Sequence, residues 1–197
     1  MTSIRQNILR LFYPLLMKAA KRTGKHATIL TNKNSQLFQT PIYDIPVVLN
    51  DGNETLLRNW QGKKLLIVNT ASNCGYTAQY GELQQLQDRY PQTLQVLGFP
   101  SNDFKNQEPE NNETIAQFCQ QNFGVHFPLV QKSSVVKGTQ QHLVYQWLTQ
   151  PEKNGWNSKA PSWNFCKYLV NEQGLLTHYF DSAISPLGTE MITAVEA

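Results

Sequence analysis

The chain has 197 residues, 40% hydrophobic, 11% aromatic and 16% charged, the composition of one folded domain with a sizeable core rather than a disordered, collagenous or repeat chain. Three cysteines are too few, and odd in number, for a disulfide scaffold, which points to a reducing compartment and a reactive thiol. The net charge of +3 hides an asymmetry: residues 1–40 carry seven Lys and Arg and no acid, leaving ten basic against fourteen acidic residues, a balance of −4, for the rest. That body has no basic run with interleaved aromatics, so nucleic acid is set aside as a partner.

In chain order, Ile4, Ile8, Leu11, Phe12, Leu15 and Ala19 recur at steps of three and four, with Arg10, Lys18, Lys21 and Lys25 largely on the other side. This predicts an amphipathic basic helix over a 1–39 extension, ahead of one domain spanning 40–197. Arg10 and Pro14 interrupt the apolar run well short of the ~20 residues a membrane span needs. No small-x-small cleavage site follows cleanly, so a secretory signal is a weak reading. The segment is read as a surface helix packed on the domain, with membrane-surface attachment and a degraded targeting segment as alternatives.

From Thr40 the pattern is strand, turn, helix. Residues 63–69 form a short apolar run suited to a buried strand, and the turn-rich Thr70–Gly75 follows. Tyr80, Leu83, Leu86, Gln87 and Tyr90 give helical spacing that Pro91 stops, before a second strand over 94–99. Asn112 is read as the cap of a helix with Ile115, Ala116 and Cys119 on one face, ending near Gly124. Phe127–Val130 is a third strand candidate, Thr139–Leu148 another helix, and 168–170 with 175–180 flank a hairpin loop at 171–174. Alternating elements followed by a hairpin predict an α/β fold, a mixed central sheet with helices on both faces.

Cys74 stands where a buried strand hands over to a helix, a place where free N–H groups and the helix dipole lower a thiol pKa. The alternative is a buried inert cysteine. Thr77 occupies the position of the second cysteine in a C-x-x-C pair, so disulfide exchange by that motif is ruled down. Cys119 and Cys166 are the other thiols able to condense with an oxidised Cys74, though Cys119 also reads as packing beside Ile115 and Cys166 more as packing than chemistry. His26, His126, His142 and His178 form no metal-ligand spacing with the cysteines and are read as surface or loop residues. The glycines make no phosphate or dinucleotide loop, and no cofactor or metal is expected.

Asn69–Tyr80 resembles the active-site turn of the glutathione peroxidase family. Gly98–Pro109, reading GFPSNDFKNQEP, resembles the family's second motif, and Trp163-Asn164-Phe165 its third, in order and at suitable spacing. The resemblance covers roughly residues 40–185. It implies a thioredoxin-like fold and a catalytic group of Cys74, Gln107, Trp163 and Asn164, in which the thiolate attacks a hydroperoxide and the three side chains donate hydrogen bonds. It also matches Cys119 to the cysteine that resolves the sulfenic acid in thioredoxin-dependent members, with opening of its helix near Asn111-Asn112 or Gly124. The short segment between Leu148 and Trp163 lacks the insertion through which the family's tetrameric members associate, implying a monomer with an open cleft that accepts hydrogen peroxide and bulky organic or lipid hydroperoxides.

The chain departs from the pattern at Asn73 (often Lys), Ser101 (frequently Cys), Lys105-Asn106 (usually small) and Cys166 (commonly a hydroxyl residue). The expectation is an antioxidant peroxidase of the cytoplasm, membrane-peripheral if the N-terminal helix attaches to lipid. Its reductant is thioredoxin or, with Cys119 structural, glutathione; a peroxide sensor that relays its disulfide is the remaining alternative.

Overall fold

The structure is a computed structural model that describes residues 4–24 and 26–197. In chain order the elements are α1 (Ile4–Thr23), β1 (Ile29–Thr31), β2 (Pro46–Val48), β3 (Glu54–Leu56), β4 (Lys64–Thr70), α2 (Gln79–Arg89), β5 (Leu94–Pro100), α3 (Asn112–Phe123), α4 (Leu143–Thr149), α5 (Pro151–Asn154), β6 (Lys167–Val170), β7 (Leu176–Phe180) and α6 (Thr189–Glu196). The central sheet has the order β1-β7-β6-β4-β5; β4 and β5 are parallel and the other neighbours antiparallel. Strands β2 and β3 form a separate hairpin.

Strand β4 lies inside the sheet, between β6 and β5, and is nearly all buried because both its faces are covered. Leu66 and Val68 face a layer built from α2, α3, α6 and part of α1, while Leu65 and Ile67 face a second layer holding Tyr145, Trp147 and Leu148 of α4. Burying each such side chain stabilises the fold by roughly 1.5–3 kcal/mol. This three-layer arrangement carries the chain from the end of β4 directly into the Cys74 turn.

The β4–turn–α2–β5 unit and the β6–β7 hairpin follow the sequence expectation closely. Phe127–Val130 is not a strand: it makes isolated bridges, Leu129 to Gly98 and Val130 to Leu49, because its backbone hydrogen bonds are divided between Gly98 of β5 and the residues flanking Leu49. The helix expected from Thr139 begins only at Leu143, where the His142 Nδ1 caps the Val144 N–H. The cap of α3 is Asn111, whose side chain accepts from Thr114 N, and the Asn112 side chain instead accepts from Lys132 N.

The N-terminal helix forms, with Pro14 inside it, and packs on the domain through Tyr13, Met17 and Ala20. A packed helix ordinarily buries its apolar stripe, yet Ile8, Leu11, Phe12 and Leu15 face away from the domain. Lys25 lies outside the described residues, as do the side chains of Ile4, Arg10 and Lys21. No described helix is long and apolar enough to cross a membrane.

Candidate active site

Cys74 is fully buried in the turn between β4 and α2, not at the first turn of the helix itself. Thr77 closes that turn: its Oγ1 accepts from Cys74 N at 3.0 Å and donates to the carbonyls of Ala71 and Cys74. The conformation aims Tyr76 N–H at the Cys74 Sγ, 3.4 Å away. Burial pushes the Cys74 thiol up; the Tyr76 N–H and the Trp163 and Asn164 side chains, all hydrogen-bonded to it, pull it back down. The net direction in the closed site is upward, the reverse of the sequence expectation, because desolvation outweighs the donors.

Trp163 and Asn164 reach Cys74 from the segment leading into β6. Asn69, near the end of β4, holds that segment: its side chain donates to Trp163 O at 2.9 Å and accepts from Cys166 N at 3.0 Å, and its carbonyl accepts from Phe165 N at 2.6 Å. The clamp sustains a left-handed backbone at Phe165, φ 65°, which a bulky side chain rarely adopts. Gln107 joins from the loop after β5. Its Oε1 accepts from Asn164 Nδ2 at 2.9 Å and its carbonyl accepts from Asn73 N at 3.0 Å. The structure thus brings Cys74, Gln107, Trp163 and Asn164 together.

Lys105 and Asn106 both have positive φ, 53° and 51°, a backbone that asparagine adopts readily but that costs a residue such as Lys105 on the order of 1–2 kcal/mol. Asn73 supplies no charge beside the thiol, but the Lys105 Nζ lies 5.8 Å from the Trp163 ring centroid.

Cys119 lies on α3, fully buried, beside Tyr80 of α2 rather than in the Cys74 turn. Burial pushes it up to about 12. A cavity of about 470 Å³ is lined by Ser72 and Asn73 of the Cys74 turn and by Thr114, Ile115 and Phe118 of α3. Cys166 packs in the opposite core layer, where Tyr179 donates to its sulfur at 3.3 Å. All three thiols are free. His142 is a half-buried loop residue just ahead of α4: burial pulls it down to about 4 and keeps it neutral as the α4 cap. Among the described residues no three His, Cys, Asp or Glu gather as a metal site.

The profile described as glutathione peroxidase matches residues 42–149. A glutathione peroxidase homolog BsaA from Halalkalibacterium halodurans is 42% identical over 147 residues, 74% of this chain and 92% of the relative. The glutathione peroxidase-like peroxiredoxin gpx1 of Schizosaccharomyces pombe is 43% identical over 145 residues, 73% and 90% of the two chains. This chain belongs to the glutathione peroxidase family.

The solved structure of T. cruzi GPX1 superposes with a TM-score of 0.58 at 30% identity, covering 79% of this peroxidase and 93% of that chain. At 17% identity and a TM-score of 0.53, a Xanthomonas campestris bacterioferritin comigratory protein, covering 82% of this chain and 97% of its own, shares the thioredoxin-like fold. The enzyme is therefore a thioredoxin-fold peroxidase that reduces peroxides with thiols.

Two residues escape sequence reading. Asn69 looks like one more polar residue at a strand end, and its partners lie about a hundred positions away. Glu108 is fully buried; its Oε2 accepts from Ser72 N and Oγ, both at 2.9 Å, while Oε1 has no partner. Burial lifts its carboxyl from 4.5 to about 7, against the lowering effect of the Ser72 contacts and Lys132. The raised value means the folded state keeps a proton that the unfolded chain releases, so the protein loses stability as pH rises from about 4.5 to 7. Glu108→Gln keeps the Ser72 contacts without the charge. Urea unfolding should show its advantage over the wild type growing by about 3 kcal/mol between pH 4 and pH 8; a pH-independent difference would contradict the assignment.

Proposed function

We propose that Cys74 is the peroxidatic residue, that Cys119 resolves it, and that a thioredoxin-type dithiol completes the cycle. One observation carries this reading: three donors, Tyr76 N–H, Trp163 and Asn164, converge on the Cys74 sulfur, and Gln107 fixes the Asn164 amide from behind. These donors favour the thiolate over the thiol once an entering peroxide replaces part of the lost hydration. The thiolate attacks the distal peroxide oxygen, forming Cys74–SOH and releasing water or an alcohol that takes up one proton. Asn164 Oδ1 is buried without a partner, an acceptor suited to a hydroperoxide O–H. An apolar cavity of about 280 Å³, walled by Leu16, Ala19, Ala20, Tyr76 and Trp163, suits the alkyl part of an organic hydroperoxide.

The Cys119 thiol then condenses with the sulfenic acid, giving a Cys74–Cys119 disulfide and water. Both sulfurs start in separate environments, so α3 has to open before they meet. Its ends are suited to that: Asn111 supplies a single side-chain cap and Gly124 ends the helix at φ 64°. The short segment after α4, which contains only α5 before β6, supports a monomer.

In an NADPH-coupled assay, turnover with thioredoxin and its reductase is expected, and Cys119→Ser should abolish it while leaving the first oxidation of Cys74 intact. Sustained turnover of that variant with glutathione would instead make Cys119 structural. One fast oxidation and poor cycling of the wild type with either reductant would favour a sensor. The opening step makes a second demand. Asn111→Ala removes about 1 kcal/mol of capping energy, so disulfide formation after one peroxide equivalent should speed up by about fivefold in quench-flow mass analysis. A slower or unchanged rate would show that α3 does not open at that end.

A further inference from the structure

Helix α1 has two working faces. The inner face seats Tyr13, Met17 and Ala20 on the domain, and Gln6 donates to Asn73 Oδ1 at 3.2 Å, directly beside Cys74. Leu16 lies against Gly75, and the same stretch of helix walls the apolar cavity next to Trp163. The outer face presents Ile8, Leu11, Phe12 and Leu15, which are 51%, 75%, 54% and 61% exposed. Their spacing of three, one and three places them in one stripe. Exposed Lys18 and Arg22 follow along its edge toward the helix C-terminus. Residues 1–40 contain no acid, and the glutathione peroxidase match begins only at residue 42.

We propose that α1 is an interfacial helix that docks this enzyme on an anionic lipid surface. A contiguous stripe of four large exposed apolar side chains marks a contact surface. A bilayer matches both halves of its chemistry: the apolar side chains enter the acyl boundary while Lys18 and Arg22 meet anionic headgroups. Pairing with the α1 of a second copy fits worse, because each helix carries Arg5, Arg10, Lys18, Lys21 and Arg22 with no compensating acid. Because the inner face of α1 contacts the Cys74 turn, docking also holds the reactive cysteine at the membrane. Docking stands by itself; its benefit for membrane-embedded hydroperoxides rests on the peroxidase cycle proposed above.

The test uses the full chain and the double variant Leu11→Asp, Leu15→Asp, whose positions face solvent and contact nothing in the site. Sedimentation with phosphatidylcholine vesicles, with and without phosphatidylglycerol, should show wild-type binding that requires phosphatidylglycerol. The double variant should bind at least about a hundredfold more weakly. Hydrogen peroxide turnover in solution should be equal for the two proteins, and this separates a failure of docking from a failure of the catalytic reading. Reduction of vesicle-borne phospholipid hydroperoxide should fall in the variant alone. Wild type that ignores both vesicles, a variant that binds as well as wild type, or light scattering that shows a wild-type dimer broken by the variant would each overturn the proposal; the last would assign the stripe to a second copy.

Discussion

Asn69 holds the site together. Placed near the end of β4, which is buried from Leu65 onward, it spends both side-chain polar atoms and its carbonyl on residues 163–166, so Trp163 and Asn164 are tied to the strand that delivers Cys74. The left-handed Phe165 exists only because that clamp and the buried Phe165 ring hold it, the ring meeting Tyr80 edge-on at 5.3 Å. Strain and hydrogen bonding together fix two donors on a sulfur that would otherwise sit in an apolar layer.

A second constraint is burial itself. It stabilises the three-layer core, and it also raises the proton affinity of Cys74, Cys119 and Glu108. For Cys74 part of that cost is countered by donors already aimed at the sulfur. For Cys119 nothing comparable is present beyond the Tyr80 hydroxyl, so reactivity there depends on local opening of α3. One fold thus keeps one thiol prepared and another withheld.

Local sequence pattern made much of this legible. The β4–turn–α2–β5 unit can be read from its apolar runs and from Pro91, and the motif residues of the site from their order along the chain. What local pattern does not carry is the partner of each group. Phe127–Val130 has strand composition but meets β5 at only one bridge. The capping role falls to Asn111 rather than Asn112 because Lys132 N engages the second side chain. Periodicity announced an apolar stripe on α1 but not what covers it. The downward pKa expected for Cys74 followed from its place along the chain, whereas its depth in the fold decides the sign.

The most direct test of this account follows the wild type and Asn69→Ala through one equivalent of hydrogen peroxide, trapping sulfenic acid and locating it by peptide mass. The account predicts oxidation at Cys74 before Cys119 or Cys166, and markedly slower oxidation in the variant under conditions where both proteins are folded. Equal rates in the two proteins, or first oxidation at Cys119 or Cys166, would contradict it.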